Sequence, residues 1–146
     1  MTTQTATPYR EVSPEGKLII NPHLGQKRAW RSQARFVAMM AGTQGGKTCF
    51  GVDWLHREIK AKGAGDYLAV TATFPLLELK MLPEFREVFE NLLHLGTYNE
   101  SKKVFLFHDG KTRVIFGSAT NPESIESATA LAAWLDEAGQ KQFHRD

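Results

Sequence analysis

The chain has 146 residues and one cysteine, Cys49, so no internal disulfide can form and a reducing compartment suits it. No apolar run approaches the roughly 18 residues that a bilayer-crossing helix needs. The opening residues, Met1–Pro8, are threonine-rich and lack the basic-then-apolar order of a secretory signal. These absences lead us to expect a soluble protein inside a cell. Excess charge is also small: 18 Lys and Arg stand against 16 Asp and Glu, a balance that neither demands nor excludes nucleic acid. His23, His56, His94, His108 and His144 are scattered without ligand spacing on any one helix, which argues against a zinc site. There is no internal repeat and no low-complexity tract. At 42% hydrophobic and 23% charged residues, the composition is that of a globular domain rather than a disordered chain.

Residues 1–16 are polar and carry Pro8, Pro14 and Gly16, so they are expected to form a flexible arm ahead of a single domain spanning 17–146. A short helix is expected over Gln26–Ser32 and a buried strand over Arg35–Met40. The spacing of Phe50, Trp54, Leu55 and Ile59 predicts an amphipathic helix over Thr48–Ile59, closed by Gly63 and Gly65. Tyr67–Thr71 reads as a strand. Pro75 opens a helix whose apolar positions are Leu76, Leu79, Leu82, Phe85, Phe89 and Leu92. Asp109-Gly110 between Lys103–Phe107 and Thr112–Phe116 signals a β-hairpin. Gly117–Ala128 reads as a loop, and Leu131–Leu135 as an apolar strand. This order of elements implies an α/β layered fold with a largely parallel sheet, in which ligands bind at the carboxyl ends of the strands.

Two motifs fall at such ends. Ala41-Gly42-Thr43-Gln44-Gly45-Gly46-Lys47-Thr48 ends in the Gly-Lys-Thr of a phosphate-binding (Walker A) loop, with Ala41 where the pattern has its first glycine. Small residues let backbone N–H groups approach phosphate oxygens, and the following helix points its positive end at the same place. Lys47 would place charge on the β and γ phosphates, and the Thr48 hydroxyl would ligate Mg²⁺. Downstream, Ala132-Ala133-Trp134-Leu135-Asp136-Glu137 is an apolar strand ending in two carboxylates, a Walker B pattern. Asp136 would hold the Mg²⁺, and Glu137 would orient or deprotonate the attacking water.

Gln26, the loop Ala41–Thr48, Val70-Thr71-Ala72-Thr73-Phe74 and Leu135-Asp136-Glu137-Ala138 together resemble the N-terminal ATPase of the large terminase subunits of tailed phages, over about residues 20–146. The resemblance implies a P-loop NTPase fold of the ASCE type, with a mostly parallel sheet flanked by helices and incomplete at its C-terminus. It implies ATP and Mg²⁺ as cofactors, with ATP contacts from Gln26, Gly42, Thr43, Gln44, Gly45, Gly46, Lys47 and Thr48, metal contacts from Thr48 and Asp136, and catalysis by Lys47 and Glu137. Gln26 stands where the family reads adenine, although a plain helix-surface residue fits it as well. The implied partners are double-stranded DNA, a homo-oligomeric ring, a portal and a small terminase subunit, in the cytoplasm of a bacterial host and without a membrane.

The sequence departs from that family in two ways. Thr43 and Gln44 stand where many relatives have an arginine in the loop, and Ser124–Ala128 lacks the arginine that others carry before the acidic strand. Arg31, Arg35 or a residue of another subunit remain open as sources of that charge. Only nine residues follow Glu137, so a fragment, a truncated gene product or one piece of a split protein is expected. Two alternatives stay open: a fragment of a superfamily 2 helicase, and a remnant that binds a nucleotide or partner without hydrolysis. Lys27, Arg28, Arg31 and Arg35, with Trp30, read either as a solvated helix face or as a nucleic-acid contact.

Overall fold

The computed structural model describes residues 7–42, 46–126 and 128–143. The chain divides into two compact units, Met1–Gly42 and Thr43–Asp146.

In the first unit, strands β1 (Arg10–Val12) and β2 (Leu18–Ile20) pair antiparallel through a turn at Gly16, whose φ of +78° suits glycine. Helix α1 (Leu24–Arg31) follows. Its start is a reciprocal cap: His23 Nδ1 accepts from the Gly25 and Gln26 N–H groups, while Gln26 Oε1 accepts from His23 N–H at 2.9 Å. Arg35–Met40, expected as a buried strand, is not one. Phe36 is 83% and Met40 97% exposed, and the run joins no ladder among the described residues.

The second unit is a five-stranded sheet of order β4-β5-β6-β3-β7, with β3 Asp66–Thr71, β4 Gly96–Asn99, β5 Val104–Phe107, β6 Arg113–Ser118 and β7 Ala130–Leu135. β3 runs parallel to both β6 and β7, but β4–β5 and β5–β6 pair antiparallel. The sheet is therefore mixed. The expectation of a mostly parallel P-loop NTPase sheet is overturned, and the reason lies in the connections. A tight turn at Asp109-Gly110 permits only an antiparallel neighbour, whereas the parallel strands need long crossovers. Asp109 fixes that turn, its carboxylate accepting from Lys111 and Thr112 N–H and from the Thr112 hydroxyl.

Helix α2 (Lys47–Lys62) packs against β7. The helical stretch 74–92, here α3, alternates α turns (Phe74–Leu76, Leu82–Arg86) with π turns (Leu77–Met81, Glu87–Leu92). Pro83 has no N–H to give, and the wide turn before it carries the chain past the clash its ring would otherwise make. The wider turns also move the buried face to Leu77, Met81, Phe85, Val88 and Phe89, leaving Leu79 77% exposed. Ala69 pairs with both Phe116 and Trp134, so those residues share one sheet face. On that face Phe85 stacks on Phe89 (centroids 4.0 Å apart) and meets Phe105 and Phe116 edge-on. The opposite face leaves Leu106, Leu131 and Leu135 exposed. Within the second unit, the described helices α2 and α3 thus lie on one face of the sheet. Among the described residues, no helix is long and apolar enough to cross a membrane.

Candidate functional site

The three parallel strands end level with one another, β3 and β6 in a polar residue and β7 in Leu135, with Asp136 directly after it. Thr71 closes β3 opposite Ser118 of β6. On the other side the Asp136 N–H donates to Val70 O at 2.9 Å, which extends the β7 pairing by one residue past Leu135. Alternation along each strand puts Thr71 with Ala69, Ser118 with Phe116 and Asp136 with Trp134, all on the helix-covered face. All three are buried, Asp136 at 5% exposure.

The amino end of α2 meets this row. Gly46 caps the helix in the left-handed region (φ +67°), a conformation that glycine adopts without cost, and Lys47 and Thr48 form the first turn. The Thr48 hydroxyl donates to Asp136 Oδ2 at 2.9 Å, joining residues 88 positions apart in sequence. Burial pushes the Asp136 carboxyl above the ordinary aspartate range, and the Glu137 charge adds to that push. The Thr48 hydroxyl and the Lys47 ammonium oppose both. An acid in this setting favours a neighbouring cation as a means of staying ionised.

Glu137 follows with φ +56°, a left-handed backbone that costs a non-glycine residue on the order of 1–3 kcal/mol. Such strain persists where the surroundings hold it, and it collects at functional sites. The local hold is a turn in which the Gln140 N–H donates to Glu137 O at 3.0 Å and the Gln140 side-chain amide lies 3.4 Å from Glu137 Oε2.

Of the residues expected from sequence to form a site, Lys47, Thr48, Asp136 and Glu137 are thus brought together. Thr43, Gln44 and Gly45 lie outside the described residues. Gly42 is exposed and ends the first unit. Gln26, in that same unit, is 1% exposed, and its side-chain carbonyl oxygen accepts the cap hydrogen bond of α1. Ser118, read as loop from the sequence, is a strand residue whose hydroxyl lies 3.0 Å from that of Thr120. Only the β3–β6 register reveals its place in the row.

The donor set suits Mg²⁺. This ion takes oxygen ligands at about 2.0–2.1 Å in octahedral geometry, so two adjacent ligands stand roughly 2.9 Å apart. The Thr48 and Asp136 oxygens have that separation. Among the described residues, no group of three or more His, Cys, Asp or Glu forms a metal cluster. Mg²⁺ held by one carboxylate, a hydroxyl, substrate phosphates and water needs none.

Comparison of the chain with protein-family models, with curated proteins and with solved structures returns no match.

Proposed function

We propose that this chain binds a magnesium–nucleoside triphosphate, ATP by preference, at the amino end of α2 and hydrolyses it as the motor part of a DNA-translocating machine of the terminase kind. The observation that carries the reading is the contact between the Thr48 hydroxyl and the Asp136 carboxylate. It joins the end of a Gly-Lys-Thr loop to the end of an acidic strand through two oxygens, in the order and chemistry that a Mg²⁺–phosphate site uses. When bound, Mg²⁺ would neutralise phosphate charge. The chain's own parts supply the rest. Lys47 brings a fixed cation to the β and γ phosphates. The positive end of the α2 dipole adds partial charge of the same sign. Glu137 orients the attacking water and accepts its proton, at a backbone position held under strain.

DNA, a ring of identical subunits, a portal and a small subunit in a bacterial host's cytoplasm belong to the same proposal, supported by the terminase-like motifs. The test is phosphate release from Mg²⁺–ATP by the full chain, with and without duplex DNA. Turnover that disappears with Lys47→Ala supports the reading. Tight binding without release would favour a non-hydrolysing binder, and neither binding nor release would end the proposal.

A further inference from the structure

Charge is unevenly divided along this chain. The first 42 residues hold six Lys and Arg against two Glu, while the remaining 104 hold twelve against fourteen Asp and Glu. No acidic residue occurs between Glu15 and Asp53. A near-neutral total hides a basic first unit, and a basic region that local carboxylates do not balance is the electrostatic mark of a polyanion partner.

The cations are concentrated on α1. A helix turns by about 100° per residue, so Lys27, Arg28 and Arg31 fall within roughly one quadrant. Gln26 and Ala29, the buried residues of α1, lie on the far side. All three cations are exposed, and Arg35, also exposed, follows just beyond the helix. None of these four forms an ion pair with a carboxylate among the described residues. Arg35 instead lies over the ring of Phe36, 5.4 Å from its centroid. Four unbalanced cations within nine residues repel one another, a cost that an external row of phosphates would remove.

We infer that the exposed basic face of α1 is a docking surface for the phosphate backbone of duplex DNA. Three basic side chains over little more than one turn match a backbone that presents one charge per about 1.7 Å of axis. No base-reading group is implied, so binding is independent of sequence. The inference gives the polymer of the proposed motor a place to sit. It requires nothing of the nucleotide site, so either can fail alone.

The test is fluorescence anisotropy of a labelled short duplex with the full chain, without nucleotide, over a series of salt concentrations. Wild type is compared with the triple variant Lys27→Glu, Arg28→Glu, Arg31→Glu and with Lys80→Gln. Removing three phosphate contacts should weaken binding about tenfold or more and lower the slope of log K against log salt by about 2–3, whatever the duplex sequence. Lys80→Gln, which removes an exposed charge away from α1, should bind DNA as wild type does. If circular dichroism shows the triple variant unfolded, the single Gln variants replace it, each expected to lower the slope by about 1. Unchanged affinity and slope in folded variants would overturn the inference. Polyglutamate competing as well as DNA would overturn it too, pointing to an acidic protein partner.

Discussion

Gly51 of α2 lies directly against the indole of Trp134 in β7, so close that a β-carbon at position 51 would overlap the ring. This contact sets how near the helix can come to the strand. Three residues before Gly51, Thr48 meets Asp136; two residues before Asp136, Trp134 fills the space that the glycine leaves. Gly51→Ala should therefore lower stability by about 1–3 kcal/mol, the usual penalty for overpacking, and weaken Mg²⁺–ATP binding in the protein that still folds. Denaturant melts and nucleotide titration of the same sample would check both. A stability and affinity equal to wild type would show that the spacing is slack.

In the proposed reaction Glu137 handles the water and Asp136 the metal, so their amide variants should behave differently. Glu137→Gln should keep nucleotide affinity within a few-fold and lose about 10²–10⁴ in phosphate release, the range for a lost general base. Paired binding and turnover assays read the split. Equal losses in both would place Glu137 in binding instead.

Phe85 is fully buried at the centre of the aromatic cluster, stacked on Phe89 and edge-on to Phe105 and Phe116. Phe85→Ala should cost about 3–5 kcal/mol. That is a large share of the roughly 5–15 kcal/mol that holds a domain folded, so thermal unfolding should shift sharply downward or disappear. A shift of only a few degrees would contradict this packing.

Arg113 joins Asp66 through two hydrogen bonds, of 2.8 and 2.6 Å, across the paired first residues of β6 and β3. The guanidinium holds the Asp66 carboxyl below the ordinary aspartate range. A folded pKa below the unfolded one gives stability that is fully present above about pH 3.9 and lost as pH falls through the depressed value. Both side chains are partly exposed, so the effect should be at most about 1 kcal/mol. Arg113→Met should lower stability near neutrality and flatten its fall between pH 4 and the depressed value. Denaturant midpoints across that range check it, and an unchanged pH profile would contradict it.

Elements whose signal is local were legible in the sequence. The periodicity of α2, the Asp109-Gly110 turn and the apolar run of β7 all have counterparts in the structure. Misreadings arose where one local pattern serves two structures. Phe36–Met40 is apolar enough for a buried strand, yet composition does not reveal whether a ladder partner exists. β4 carries no strand signal in the sequence, because Gly96 and Asn99 look like turn residues. Gly96 is there because Leu106 O approaches too closely for any side chain. The π turns of α3 broke the regular period on which the expected buried face was built. The hairpin is legible in Asp109-Gly110, while its consequence, an antiparallel edge on the sheet, emerges only from the pairing of β4, β5 and β6. At the candidate site, motif spelling was enough to single out Lys47, Thr48, Asp136 and Glu137. The places of Thr71 and Ser118 depend on strand register, and the left-handed backbone of Glu137 has no sequence signature.

If Lys47, Thr48 and Asp136 form one Mg²⁺-dependent phosphate site, calorimetric titration of the full chain with ATP, with and without Mg²⁺, will show it. Wild type should bind only weakly without the ion and much more tightly with it. Lys47→Ala should bind poorly in either condition, and Asp136→Asn should lose the enhancement by Mg²⁺ while remaining folded. Equal affinity in all three proteins, or no response of the wild type to Mg²⁺, would contradict the claim.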